Sequence, residues 1–132
     1  MLSSGAGRSL VASGPPWRST QLQVNEKLVL IYSTYASPAE AERIGEMLID
    51  RGLAACVNIF PGMTSIYVWE GKRQRETETA MIIKTRAAAA GKVIAEVRAQ
   101  HSYSNPALVV LPIVEGSSDF LSWIAAQTAT AG

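Results

Sequence analysis

The sequence predicts an α+β domain built from two strand–helix–strand halves and a closing helix. Three observations carry this. Short apolar runs rich in strand formers recur along the chain. Two stretches with apolar residues at helical spacing lie between them, one in each half. The first of these has start and stop signals at both ends. Split βαβ halves in this order make a ferredoxin-like sandwich, here with an extra C-terminal helix.

Taken in order, the elements justify themselves locally. Lys27 to Thr34 holds Leu28-Val29-Leu30-Ile31-Tyr32, an unbroken apolar run that reads as the first strand. Ser37-Pro38-Ala39-Glu40 follows, with a serine N-cap, a proline at the first helical position and an acid three residues after the cap. Ala41, Ile44 and Leu48 then repeat at helical spacing, while Glu42, Arg43, Glu46 and Asp50 take the wet side. Gly52 can adopt the left-handed conformation that ends the helix. Leu53 to Phe60 reads as a second strand, bent at Pro61-Gly62 and resumed from Thr64 to Trp69.

Glu70-Gly71-Lys72 is a turn signal, and a third strand runs on through Thr79 to Lys84. A second helix is expected from near Thr85, with Ala90, Val93, Ile94, Val97 and His101 facing inward. Gly91 inside it costs ~1 kcal/mol against alanine. Ser102 to Pro106 reads as a loop, Ala107 to Val114 as a fourth strand, and Ser118 to Thr128 as a short amphipathic helix carrying Phe120, Leu121 and Ile124.

Composition bounds the function classes. The 132 residues suit one domain, and 48% apolar with 17% charged residues suits a compact soluble globule. A net charge of +1 gives no electrostatic case for nucleic acid or an anionic membrane as partner. One cysteine rules out an internal disulfide, so nothing requires an oxidising compartment and a cytoplasmic location is expected. The longest apolar runs fall far short of the ~20 residues that cross a bilayer. Residues 1–25 are serine-rich and acid-free, with Arg8 and Arg18 as their only charges. They read as a flexible segment, either a targeting leader or unrelated to the fold, ahead of a domain at 26–132.

The strands also say something about assembly. Leu28 to Ile31, Ala80 to Ile83 and Leu108 to Leu111 do not alternate, so both sheet faces ask for burial. Two helices cover one face, and the other is expected to find its cover in further copies of the chain.

The blocks Leu53 to Asn58, Ser65 to Lys72, Met81 to Thr85, His101-Ser102-Tyr103 with Pro106, and Leu111-Pro112-Ile113 recur in one order. With them the stretch from about Lys27 to Thr128 closely resembles the CutA family of divalent-cation tolerance proteins. The resemblance implies a ferredoxin-like fold, a homotrimer with sheets packed face to face, and a link to copper and other divalent cations. It implies no catalytic reaction. It also implies a polar cluster at clefts between subunits, for which this chain keeps Trp69, Glu78, Lys84, His101 and Tyr103, with Cys56 in the Ala-Ala-Cys-Val block. The chain departs from some relatives at Ser33, Gln100 and Ser102-Tyr103-Ser104, which thins the metal-ligand set.

Each candidate has a functional and a plainer reading. Cys56 is a thiolate candidate for copper(I), or a small residue on a core strand. His101, the only histidine, is a metal or pH-linked candidate, or a helix-ending histidine bonded to a carbonyl. Glu76 and Glu78 share a strand face and could hold a cation or do acid–base work, or form a solvated face or ion pairs. Lys84 reaches solvent, or pairs with Glu78 or an anion in a cleft. Tyr67 and Trp69 point the same way and pack an interface or wall a ligand pocket.

No nucleophile stands beside a base, no glycine loop cradles a phosphate and no cysteine pair holds a metal. A non-enzymatic, trimeric tolerance protein is therefore the leading expectation. A PII-like small-molecule sensor sharing the fold is the second, set back by the short hairpin around Gly71. The third is an enzyme whose Glu78, Lys84, His101 and Tyr103 meet at an inter-subunit cleft.

Overall fold

A computed structural model describes residues 27–130, so the expectations for residues 1–25 and for a boundary at 26 lie outside the described residues. The elements run β1 (Leu28–Tyr35), α1 (Pro38–Asp50), β2 (Cys56–Trp69), β3 (Lys72–Arg86), α2 (Ala87–Gln100), β4 (Leu108–Pro112) and α3 (Ser118–Gln127). The strands form one antiparallel sheet in the order β2-β3-β1-β4. That order and the two strand–helix–strand halves are the ferredoxin-like arrangement expected from the pattern.

Local signals set most boundaries. The Glu40 amide donates to Ser37 Oγ at 3.2 Å, and Ala36 N donates back to Glu40 Oε1 at 3.4 Å, so the cap is reciprocal. Gly52 closes α1 at φ 69°. At the other hairpin, Glu70 (φ 51°) and Gly71 (φ 80°) turn the chain between β2 and β3 in two residues, both left-handed.

Three boundaries differ from expectation, each for a physical reason. β2 begins at Cys56 rather than Leu53, because Leu53 and Ala54 are buried in the α1 exit and their amides bond Leu48 O. Beyond that point β2 is continuous: a bulge between Phe60 and Met63 absorbs Pro61-Gly62, which an edge strand tolerates. α2 starts at Ala87 because Thr85 and Arg86 still pair with Val29 and Leu28, and Thr85 Oγ1 donates to Leu53 O at 2.6 Å. Its buried stripe is Ala89, Val93 and Val97, with Ile94 only half-buried; four consecutive alanines gave no apolar contrast to set the phase.

The main core lies between one sheet face and helices α1 and α2. Val29, Ile31, Tyr35, Met81 and Ile83 meet Ala41, Ile44, Leu48, Ala89, Val93 and Val97. Gly45 makes the close approach possible: a Cβ there would sit 3.0 Å from Val57 Cγ2 and 3.1 Å from Met81 Sδ.

The opposite face is divided. Its Leu28 end is covered by the chain itself, through Leu121 and Ile124 of α3, with Lys84 Nζ 5.2 Å from the Phe120 ring centre. The expectation that other copies must cover the whole face is corrected to this extent. The remainder is bare within the protomer: Phe60 is 50% and Val109 51% exposed. Beyond Thr79, where β1 ends its pairing, Met63–Trp69 and Lys72–Glu78 continue as a two-stranded ribbon. Seven paired positions project it ~23 Å past the sheet. Val68 (67% exposed) and Trp69 (58%), neighbours in sequence, lie on opposite faces of it.

Candidate functional site

Where β1 ends, α1 begins and α2 ends, the chain gathers its polar groups. Glu40 sits in the first turn of α1 and is only 8% exposed. Ser102 N donates to Glu40 Oε2 at 2.7 Å and Ser102 Oγ to Glu40 Oε1 at 2.9 Å, joining the Ala36 amide already described. Burial pushes this carboxyl up. The Ser102 bonds, the nearby His101 ring and the Ala36 amide outweigh it and hold the group below the ordinary carboxylate range.

His101 is fixed by both ring nitrogens. Nε2 lies 2.7 Å from Thr34 O, so it carries the proton, while Nδ1 accepts the Tyr103 amide at 3.0 Å. The imidazole side chain is fully buried, stacked on Tyr35 at 4.8 Å and 4.9 Å from the Tyr103 ring. Glu40 Oε2 is 3.7 Å from Nδ1. In this tautomer no nitrogen lone pair is left for a metal. The helix-ending reading of His101 is the one the geometry fits, with backbone partners at both ends of the ring.

Two tyrosines continue the network. Tyr35 OH donates to Ser33 Oγ at 2.9 Å, which donates to Met81 O at 3.0 Å. Burial pushes the Tyr35 phenol up to about 12. Tyr103 OH donates to Glu78 Oε2 at 2.9 Å, at the root of the ribbon. Burial first, and the Glu78 carboxylate second, hold the Tyr103 phenol far above its ordinary value. Further out, Tyr67 OH donates to Glu76 Oε1 at 2.8 Å, a bond that raises the Tyr67 phenol in full solvent.

The structure therefore brings together three of the expected residues, His101, Tyr103 and Glu78, and leaves three apart. Lys84 lies six residues from Glu78 along β3, a separation of ~20 Å, under Phe120. Cys56 pairs with Lys84 at that same end, with sulfur contacts of 3.9 Å to Val57 O and Asn58 Oδ1. Trp69 stands at the ribbon tip, six β2 positions past Met63, which faces Glu78. Through the register, Cys56 lies at the level of Leu30 while His101 bonds Thr34, so ~13 Å of strand separates the two proposed metal ligands. Among the described residues no three His, Cys, Asp or Glu side chains form a group that could hold a metal. The donor set of the described residues in one protomer does not fit a resident metal centre.

Sequence reasoning missed Glu40 as the hub, reading it only as a helix cap. Thr34 was likewise unmarked, and Ser102 entered only as part of the His101-Ser102-Tyr103 block. The usable signal was the short loop after α2: a histidine, a serine and a tyrosine in sequence must return over the start of α1.

Comparison with known proteins agrees with the fold. Residues 29–127 match the family described as CutA1 divalent ion tolerance protein. The chain is 50% identical over 94 residues to the divalent-cation tolerance protein CutA of Archaeoglobus fulgidus, covering 71% of this chain and 91% of that one. It is 34% identical over 127 residues to the chloroplastic CutA 1 of Oryza sativa subsp. japonica, covering 96% and 72%. The crystal structure of the CutA1 divalent ion tolerance protein from Ehrlichia chaffeensis superposes with a TM-score of 0.76 at 31% identity, over 80% of this chain and 98% of that one. The chain belongs to the CutA1 divalent ion tolerance family.

Proposed function

We propose that the protein works in the cytoplasm as a homotrimeric divalent-cation tolerance protein, by binding rather than by catalysis. The uncovered half of the sheet, continuous with a ribbon whose β2 strand bears exposed apolar side chains on both faces, carries this reading. Such a surface is left wet at a cost of roughly 25 cal/mol per Å², and copies of the same chain remove that cost. The number three is what the family resemblance implies. In such an assembly Trp69, Lys84, Glu78 and Tyr103 from different copies are the groups offered to clefts between subunits.

The binding reading is supported by protonation states. Tyr103 is held neutral, Glu40 is held charged by three donors, and both His101 ring nitrogens are engaged by backbone groups. The phenol and the carboxyl are both held away from proton exchange near neutral pH. Copper or another divalent cation enters this proposal only at the level of the assembly, where Cys56, half-buried beside Lys84, can be repeated by symmetry; its sulfur makes only long contacts within the protomer.

The test is sedimentation of the full chain at about 1 µM, with anaerobic copper(I) titration of the same sample. A species of three chains, with copper uptake lost in Cys56→Ser and kept in Tyr103→Phe, is expected. A monomer would overturn the assembly, and uptake unchanged by Cys56→Ser would overturn the cation role given to that thiol.

A further inference from the structure

On the helix-covered side of the molecule, a cavity of about 180 Å³ opens between α1 and the edge strand β2. Its floor is apolar: Ile49, Val57 and Ile59. Its rim is Glu42, Glu46 and Asp50, at i, i+4 and i+8 of α1 and therefore ~6 Å apart along one side of the helix.

The charge on α1 is segregated. Its basic neighbours are turned away toward α2: Arg43 donates to Gln100 Oε1 and Gln100 O at 3.3 and 3.2 Å, and Arg51 pairs with Glu96 at 2.6 Å. Among the described residues no cation pairs with Glu42, Glu46 or Asp50. An apolar trough is thus left beside an unneutralised row of three carboxylates.

We propose that this groove is a docking surface for an extended basic segment of a partner protein, with lysine or arginine at alternate positions. Charge and spacing both select it. Side chains on one side of an extended chain recur every ~6.7 Å, close to the ~6 Å between the carboxylates. Lysine and arginine carry aliphatic stems that lie on apolar surface while their heads stay wet. The stems cover Ile49, Val57 and Ile59, and the heads meet Glu42, Glu46 and Asp50. The cavity is a partly open trough of about 180 Å³, along which such stems can lie side by side. Val57 and Ile59 lie on the helix-covered face of the sheet, opposite the surface proposed for self-association.

The probe is the capped heptapeptide Lys-Val-Lys-Val-Lys-Val-Lys, titrated into the full-length chain at low salt and followed by amide NMR. Saturable shifts centred on Ile49, Val57 and Ile59 are expected. Glu42→Gln, Glu46→Gln and Asp50→Asn combined should weaken binding about tenfold or more with the melting temperature kept, since the three side chains are exposed and pair with no cation among the described residues. Ile49→Ser should weaken it independently. Shifts spread over the surface without saturation would overturn the proposal. So would equal binding by the triple variant, or by the same peptide with glutamate in place of lysine. If the peptide binds only after Arg8→Ser and Arg18→Ser in the full chain, the groove belongs to the protein's own first residues, and the partner reading is overturned.

Discussion

The Glu40–His101–Tyr103 corner and the β2–β3 ribbon are joined through one hydrogen bond, yet they are opposite in kind. In the corner every polar group named above has found a partner in the same protomer: Glu40 has three donors, and His101 has a donor and an acceptor. On the ribbon, Ile66, Val68 and Trp69 are exposed side chains on a two-stranded element. Isolated ribbons of this kind are marginally stable in water. The corner is finished by folding; the ribbon keeps apolar side chains exposed within the protomer. Residues that sequence comparison groups as one site therefore belong to two physical regimes, and substitutions should separate them.

The largest expected effect is on the ribbon. Val68→Asp together with Trp69→Asp places charges where the assembly proposal needs dry contact, and should weaken oligomerisation by at least 100-fold in sedimentation. The secondary structure of the sheet and helices should persist by circular dichroism, because neither residue touches the core. If both signals vanish together, the two regions are not separable. If the oligomer survives, the ribbon is not its interface.

Next comes the corner itself. Glu40→Gln keeps the shape but offers an amide to the Ser102 and Ala36 donors, and should cost about 1–3 kcal/mol in urea unfolding without changing the oligomer first formed. It also carries a pH signature. The carboxyl of Glu40 is below its ordinary value when folded, so its contribution is fully present above about pH 4.5 and is lost as the pH falls through the lower folded value. The unfolding free energy of the unsubstituted chain should fall more steeply than that of Glu40→Gln in that acid window. Parallel curves would mean that Glu40 is held no differently in the folded state.

These contrasts also show what a single sequence reveals. The run Leu28 to Tyr32, the Ser37-Pro38-Ala39-Glu40 cap and Gly52 are local signals, read without knowing what lies across the sheet, and they placed β1 and α1 correctly. The strand that runs through Pro61-Gly62 was less legible, because a bulge and a break look alike until the partner strand is seen. The start of α2 was obscured by alanines equally at home on either face. Of the site, His101, Tyr103 and Glu78 were legible as residues but not as a connected set, since the bond from Tyr103 to Glu78 spans 25 positions. Glu40 was hidden by its own good local explanation: a residue that suffices as a cap gives no hint that a distant serine also needs it. α3 shows the same limit at larger scale. Its apolar face was visible, but which face of the sheet it covers depends on a connection whose path no periodicity encodes.

The smallest effect is also the sharpest comparison, because the molecule contains the same pair twice. Tyr103 OH bonds Glu78 in the corner and Tyr67 OH bonds Glu76 on the ribbon, at 2.9 and 2.8 Å. Geometry alone would give the two equal weight. Burial does not: Tyr103 is half-buried, whereas Tyr67 is exposed and water can replace the phenol. Tyr103→Phe should therefore cost about 1 kcal/mol and leave Glu78 short of a donor. Because its phenol is raised when folded, the stability it contributes is present below pH 10 and lost as the pH climbs above it, so the variant should lose part of the alkaline slope. Tyr67→Phe should leave urea unfolding of the dissociated chain unchanged. Under the assembly proposal, any deficit it shows should appear only in the oligomer. Equal costs for the two substitutions in the dissociated chain would mean that the ribbon is already ordered and shielded within one protomer, and the division between corner and ribbon would fall.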